Sequence, residues 1–363
     1  MIKRKKYLFL IPNLGGGGAE RVLVTLANGL CDKADVRIVT LTSAKSFYAL
    51  DNRVCITNLH CAVNRQNRMT LLWSKFFGAI RALRGLKKIL ATWEPDTLLS
   101  FLQDTNALTI ILKIFGGIKC KVVVSERADP NKRSKIEMWF ERRFYCKADI
   151  IICQSEKVAH FFPENVQNKI KIIRNPICAN AIPQLFTGNR RKVIVGIGRL
   201  FPQKNFELLI NAFAHMGADF SEYTLEIYGS GCLEGKLEKQ ISEMELSKRV
   251  HLMGLKKNVM FSIYDASLFV LTSDFEGFPN ALIEAMATGL PVVTTDFSPG
   301  IARELVYPSN GIVVPVNDEK ALILAMRDIL FDIEKQKKMS IENRKILSTL
   351  SEEKIIPQWE EWL

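Results

Sequence analysis

Two carboxylates, Glu276 and Glu284, lie in the stretch Asp274-Phe275-Glu276-Gly277-Phe278-Pro279-Asn280-Ala281-Leu282-Ile283-Glu284-Ala285-Met286-Ala287-Thr288-Gly289-Leu290-Pro291-Val292-Val293. The stretch reads as a loop, a helix from about Pro279, a stop at Gly289 and then a buried strand. Pro279 suits the first helical position and Gly289 the helix end. Glu276 falls in the loop, and Glu284 falls inside the helix among Ile283, Ala285, Met286 and Ala287, a setting unfavourable to an unpaired charge. The same interval separates Glu156 from Glu164, Glu226 from Glu234, Glu334 from Glu342, Glu352 from Glu360 and Glu353 from Glu361. Spacing therefore does not single out this pair. The surrounding glycine, proline, small residues and following hydrophobic strand do.

Two further segments have the makings of an anion site. Gly198-Arg199-Leu200-Phe201-Pro202-Gln203-Lys204-Asn205 follows an apolar run and precedes a helical pattern. Arg199 and Lys204 there can clamp a diphosphate, the guanidinium bidentate and the ammonium as a point charge. A solvated loop with two ordinary surface cations is the plainer alternative, although cations at a helix start oppose its dipole. Gly15-Gly16-Gly17-Gly18-Ala19-Glu20-Arg21 lies between the first apolar run and the first helical pattern. Glycines at such a turn let backbone N–H groups approach an anion at the helix N-terminus. The dinucleotide fingerprint needs a glycine where Glu20 stands, and the P-loop needs Gly-Lys-Ser/Thr, which is absent. A tight strand-to-helix turn explains these glycines equally well.

Elements that can hold such loops alternate along the chain. Short β-rich runs fall at Tyr7–Ile11, Val36–Thr40, Thr97–Phe101, Lys121–Ser125 and Ile150–Cys153, with helical patterns such as Ala19–Leu30 and Leu71–Ala91 between them. The pattern lapses from Asn175 to Arg191, a candidate linker. It restarts with strands at Val193–Gly198, Thr224–Tyr228, Val250–Leu252, Leu268–Leu271 and Pro291–Thr294, and the tail from Asp318 is helical. This is the pattern of βαβ units and of parallel sheets covered on both faces. Two doubly wound α/β domains facing a central cleft are expected, with ligand loops beyond the carboxyl ends of the strands.

Composition narrows the class. The 363 residues suit two domains, and 48% hydrophobic with 24% charged residues is the balance of a globular chain. No apolar run approaches a bilayer-spanning length of ~20 residues. The apolar part of Tyr7–Ile11 is too short for a secretory signal and reads as a strand. Eight scattered cysteines without a Cys-x-x-Cys pair suggest reduced thiols rather than zinc or disulfides. Residues 1–180 carry 30 Lys and Arg against 14 Asp and Glu, whereas residues 181–363 carry 20 against 24. The basic half invites phosphate-bearing partners.

Taken in order, these segments resemble the retaining GT-B glycosyltransferases of family 4 (glycosyl transferases group 1), in particular those of capsule, O-antigen and exopolysaccharide pathways. The likeness spans nearly the whole chain. It includes Tyr228-Gly229-Ser230-Gly231, the strand ending Met253-Gly254-Leu255, and Gly300, Glu304 and Asn310-Gly311. The resemblance implies two Rossmann-like domains. Residues 1–180 would face the acceptor, with a terminal helix at about 351–363 packing back on them, and residues 181–350 would bind the donor. Arg199 and Lys204 would hold the donor diphosphate. Glu276 would contact the transferred sugar, and Glu284 the ribose hydroxyls. Backbone along Phe278, Pro279, Asn280, Ala281 and Leu282, with its N–H groups at a helix N-terminus, would assist at sugar and phosphate. Ser230 would join them in the donor pocket, and the Gly254-Leu255 backbone would face the base. Gly16, Gly17 and Gly18 would close over the diphosphate. Many relatives place a histidine where Ser125-Glu126-Arg127 stands; Glu126 is a candidate catalytic residue, or a structural partner of Arg127. No metal or other cofactor is implied, so Asp274-Phe275-Glu276 is not read as a manganese site. Front-face attack, with the leaving phosphate taking the acceptor's proton, would retain the anomeric configuration.

The implied donor is a nucleotide-sugar, UDP-hexose or UDP-N-acetylhexosamine being the commonest type. The implied acceptor is a lipid-linked or lipopolysaccharide glycan. Arg65, Arg68, Lys75, Arg81, Arg84, Lys87 and Lys88 are interleaved with Trp73, Phe76, Phe77 and leucines. This stretch reads as a basic amphipathic helix, resting either on the sheet or on an anionic membrane. The expected location is the cytoplasm, with peripheral contact at the inner membrane face. An epimerase or hydrolase on the same fold is an alternative, as is a basic nucleic-acid-binding protein. The latter would leave the C-terminal motifs unexplained, so no nucleic-acid partner is expected.

Overall fold

The computed structural model describes residues 4–61 and 68–363; side chains are described for these except residues 68–73, 75 and 76. It comprises two compact units, Met1–Pro176 with Glu352–Leu363, and Ile177–Ser351. In the first unit, seven described strands form a parallel sheet in the order β3-β2-β1-β4-β5-β6-β7. They are β1 (Lys5–Ile11), β2 (Ala34–Thr40), β3 (Cys55–Asn58), β4 (Thr97–Phe101), β5 (Lys121–Ser125), β6 (Ile150–Cys153) and β7 (Ile170–Ile172). Burial of Leu8, Leu10, Leu98 and Val39 on one face of the sheet and of Phe9, Ile11, Ile38 and Leu99 on the other explains why these strands read as continuous apolar runs.

The crossovers of the first unit include α1 (Gly18–Leu30), α2 (Arg68–Trp93), α3 (Gln103–Phe115) and α4 (Lys135–Phe144). In α2, Ala82, Leu86 and Leu90 are buried whereas Arg81, Arg84, Lys87 and Lys88 are exposed. This half of the basic stretch therefore packs its apolar side inward. Arg65 lies outside the described residues, as do the side chains of Arg68, Trp73, Lys75 and Phe76. The C-terminal helix Glu352–Trp362 joins this unit. Trp359 is fully buried and stacks on Phe101 at 5.8 Å, and the Arg127 guanidinium lies over both rings, at 5.3 and 4.6 Å.

The second unit repeats the plan with six parallel strands in the order β10-β9-β8-β11-β12-β13. These are β8 (Arg191–Ile197), β9 (Thr224–Tyr228), β10 (Val250–Gly254), β11 (Ala266–Leu271), β12 (Val292–Thr295) and β13 (Gly311–Val314). Helices α5 (Phe206–Ala214), α6 (Asn280–Ala287) and α7 (Glu319–Phe331) cover it. Leu209, Phe213 and Met326 join Ile194, Leu225 and Leu268 in one core. The sheet order reverses between β8 and β11, so the loops after these two strands diverge at the topological switch point. Pro279 is the residue before α6, not its first residue as expected, and Gly289 follows the helix with a φ of +80°.

Candidate active site

Three loops at the carboxyl ends of β8, β9 and β10 are tied together through their backbones. The Gly198 amide donates to Tyr228 O at 3.0 Å, Leu200 N to Ser230 O at 3.0 Å, and Gly229 N to Gly254 O at 2.9 Å. The approach is so close that only glycine fits. Gly229 has a φ of +147°, and a Cβ there would lie 1.8 Å from Gly198 O; at Gly231 a Cβ would lie 2.4 Å from Leu200 O. Arg199, Ser230 and Leu255 stand exposed on this floor, just past β8, β9 and β10. The Arg199 guanidinium rests over Phe201 at 5.2 Å. Thus the floor offers a cation, a hydroxyl, an exposed apolar side chain and backbone amides to a ligand.

Across the switch point, Lys204 Nζ is ion-paired to Glu276 Oε1. The Glu276 carboxylate is only 7% exposed and is held from two other directions. Ser273 Oγ donates to Oε1 at 2.6 Å, and Gln203 Nε2 approaches Oε2 at 3.4 Å while donating to Phe275 O at 2.7 Å. Lys204 is fixed at its backbone, since Thr272 Oγ1 donates to its carbonyl at 2.8 Å. Asn205 adopts a left-handed conformation (φ 48°) and caps α5. Its Nδ2 reaches Asp274 Oδ1 at 3.1 Å and Asn317 Oδ1 at 2.7 Å. Backbone bonds from Asp274 N to Gln203 O and from Glu276 N to Ser298 O lock the loop after β11 to those after β8 and β12. This is a preorganised pair of opposite charges, partly shielded from water, at the place where open α/β sheets bind ligands.

Helix α6 begins beside this pair. It has no side-chain cap, so its N-terminal amides and partial positive charge suit an anionic or hydroxyl-bearing ligand. Phe278, Pro279 and Leu282 are buried, while Asn280 and Ala281 are partly open. Glu284, in the second turn, is 8% exposed.

In the first unit, Gly17 precedes α1 and Gly18 begins it. A Cβ at Gly17 would meet Glu20 Oε2 at 2.3 Å. Tyr48 Oη donates to Gly16 O at 3.0 Å, and Arg21 lies 4.9 Å over the Tyr48 ring. Glu126, just past β5, is fully buried and pairs with Arg133 at 3.2 Å. Its Oε1 accepts the backbone N–H groups of Arg127 and Ala128 at 3.0 and 3.3 Å. The cation facing Glu126 is thus Arg133. Arg127 instead donates to Asn175 Oδ1, and burial pushes its guanidinium pKa down. Arg133 also pairs with Glu141, whose carboxyl is raised to about 7, first by burial and then by the charge of Glu126.

Comparison with known proteins decides the family. The glycosyl transferases group 1 model matches residues 180–346, and the Glycosyltransferase Family 4 model matches residues 16–180. A Campylobacter jejuni subsp. jejuni protein, GalNAc-alpha-(1->4)-GalNAc-alpha-(1->3)-diNAcBac-PP-undecaprenol alpha-1,4-N-acetyl-D-galactosaminyltransferase, is 31% identical over 94% of this chain and 92% of its own length. The chain belongs to the family 4, group 1 glycosyltransferases.

A second C. jejuni transferase, N-acetylgalactosamine-N,N'-diacetylbacillosaminyl-diphospho-undecaprenol 4-alpha-N-acetylgalactosaminyltransferase, is 30% identical over 90% of this chain and 91% of its own. Among solved structures, Anabaena Alr3699/HepE in complex with UDP and glucose superposes with a TM-score of 0.81 at 20% identity, covering 99% of each chain. The fold of this glycosyltransferase is therefore GT-B, and its relatives serve bacterial surface polysaccharides and O-antigens. Motif reading located the loops but missed Ser273 and Gln203, which hold Glu276, and Arg133, which meets Glu126. Each partner lies on a different loop or beyond a turn. Ser273 alone left a trace, as a hydroxyl between strand and motif.

Proposed function

We propose that this glycosyltransferase transfers a hexose or N-acetylhexosamine, with retention, from a UDP-sugar to a lipid-linked or lipopolysaccharide glycan in surface polysaccharide synthesis. The observation that carries this reading is the Lys204–Glu276 pair at the switch point of the second sheet, beside the uncapped start of α6. Residues 181–350 are read as the donor domain and residues 1–180 as the acceptor side. On this reading the diphosphate takes Lys204 and Arg199 as its counter-charges, and both stabilise charge on the departing nucleotide. Glu276, already held by Ser273 and Gln203, meets the sugar with its oxygens oriented. The amides of Phe278 to Leu282 assist at sugar and phosphate, and Glu284 accepts the ribose hydroxyls. Gly254 and Leu255 meet the base, and Ser230 lines the pocket. Gly16, Gly17 and Gly18 receive phosphate oxygens at the start of α1. These side chains perform the electrostatic work without a metal ion. Glu126 acts by ordering its loop through Arg133. The acceptor class is supported by the undecaprenol-linked substrates named for the two C. jejuni relatives. On this reading the enzyme works in the cytoplasm, at the inner membrane face.

The test is incubation with UDP-sugars and a synthetic polyprenyl-diphosphate-linked N-acetylhexosamine, with the linkage of the product read by NMR. An α-linked product from an α-linked donor is expected. A β-linked product would overturn retention, and the absence of transfer from every UDP-sugar offered would overturn the donor assignment.

A further inference from the structure

The Lys135–Phe144 helix, α4, has a solvent face that the donor site does not use. Ser134 and Glu137 form a capping box at its start, with Ser134 N donating to Glu137 Oε2 at 2.7 Å. The helix is therefore firmly begun. Yet Ile136 is 78% and Trp139 61% exposed, and Met138 is also open. At 100° per residue, Met138, Arg142, Lys135, Trp139, Arg143 and Ile136 fall in succession around one face. Phe140, Glu141 and Phe144 turn the other way, where Phe140 and Phe144 pack at 5.0 Å. Lys132 extends the exposed cations by one turn. The helix's own carboxylates do not offset them, because Glu137 is engaged in the capping box and Glu141 is buried against Arg133. Beside the helix, Met138 and Arg142 line a shallow groove with Phe161, Phe162 and Pro163, and Phe161 is itself exposed.

An exposed tryptophan and isoleucine ringed by four cations are unfavourable facing water but suit a lipid headgroup boundary. There the rings and chains enter the acyl edge while the cations meet phosphates. We propose that α4, with Phe161 beside it, is a docking surface for an anionic lipid bilayer. The charge complementarity favours lipid over an apolar protein partner, since the charged side chains on the outward face of α4, Lys135, Arg142 and Arg143, are all positive. The proposal deepens the membrane-face location given above. It rests on that reading only for its setting, because docking is measured without donor or acceptor.

The experiment is co-sedimentation of the full chain with vesicles of phosphatidylglycerol and phosphatidylethanolamine, against vesicles of phosphatidylcholine alone. Binding to the anionic vesicles only, released by salt, is expected. Arg142→Gln with Arg143→Gln should weaken it about 30-fold, and Trp139→Ser about tenfold. Thermal melting should be unchanged, as these side chains are exposed. UDP binding, titrated on the same samples, should also stay at the wild-type value, so failure of the donor reading would be seen separately. Absence of vesicle binding by the wild-type chain, equal binding to phosphatidylcholine, or wild-type binding by both variants would each overturn the proposal.

Discussion

At the residue scale the account turns on Lys204, Glu276 and Glu284. Lys204→Ala leaves the buried Glu276 carboxylate without its cation and the donor diphosphate without a counter-charge. Glu284→Ala leaves ribose hydroxyls unpaired. Each should lower UDP affinity by ~2–5 kcal/mol, measured by calorimetry; wild-type affinity in either variant would contradict its assignment. Ser273→Ala works at one remove, since Ser273 only orients Glu276. It should slow transfer by ~0.5–1.5 kcal/mol while UDP affinity stays nearly constant, a split visible in kcat against Kd. The two glutamates and two cations were legible in the sequence because glycine, proline and a following strand framed them. Their supports were not, because a hydrogen bond from the end of β11 to the next loop leaves no periodic trace. The same holds for Glu126, which meets its neighbour in sequence, Arg127, through that residue's backbone N–H but forms its ion pair with Arg133.

The element scale brings in the turns and the helices that carry these residues. Gly229→Ala would drive a Cβ into the Gly198 carbonyl, 1.8 Å away, at a φ of +147°. A loss of more than ~3 kcal/mol from the second unit is expected on thermal unfolding. A melt within a degree or two of wild type would contradict the close approach. In the first unit, Glu141 is raised from 4.5 to about 7 by burial and by Glu126. The folded state therefore holds its proton more tightly than the unfolded state. The stability this contributes is complete below about pH 4.5, falls as the pH rises, and is lost once the pH passes about 7. Denaturant titrations at pH 5 and 8 should differ by about 1–3 kcal/mol from this group, and Glu141→Gln should remove that difference. The long central strands were legible as apolar runs. Strands β3, β7 and β13, of four, three and four residues, were not. They lie at sheet edges, where partial burial weakens the pattern that marks a strand.

On the scale of the whole molecule, the chain forms two doubly wound units, and the last helix returns to the first of them. Trp359 is buried against Phe101 and Arg127. Trp359→Ala should destabilise the first unit by ~3–5 kcal/mol, while the second unit keeps its UDP affinity. The alternation of strand and helix announced the two-sheet plan, and the charge split, 30 cations against 14 carboxylates in residues 1–180, marked the halves as different in partner. The position of the final helix came only from the family resemblance, because helical periodicity does not say which sheet a helix covers. Calorimetric titration of UDP, GDP and ADP into the wild-type protein and Glu284→Ala, in buffer without divalent metal, tests the central claim most directly. The account predicts that UDP binds more tightly than GDP or ADP and that its affinity falls at least thirtyfold in the variant, a factor of thirty being about 2 kcal/mol. Equal affinity for the three nucleotides, or a UDP affinity that survives the substitution, would contradict it.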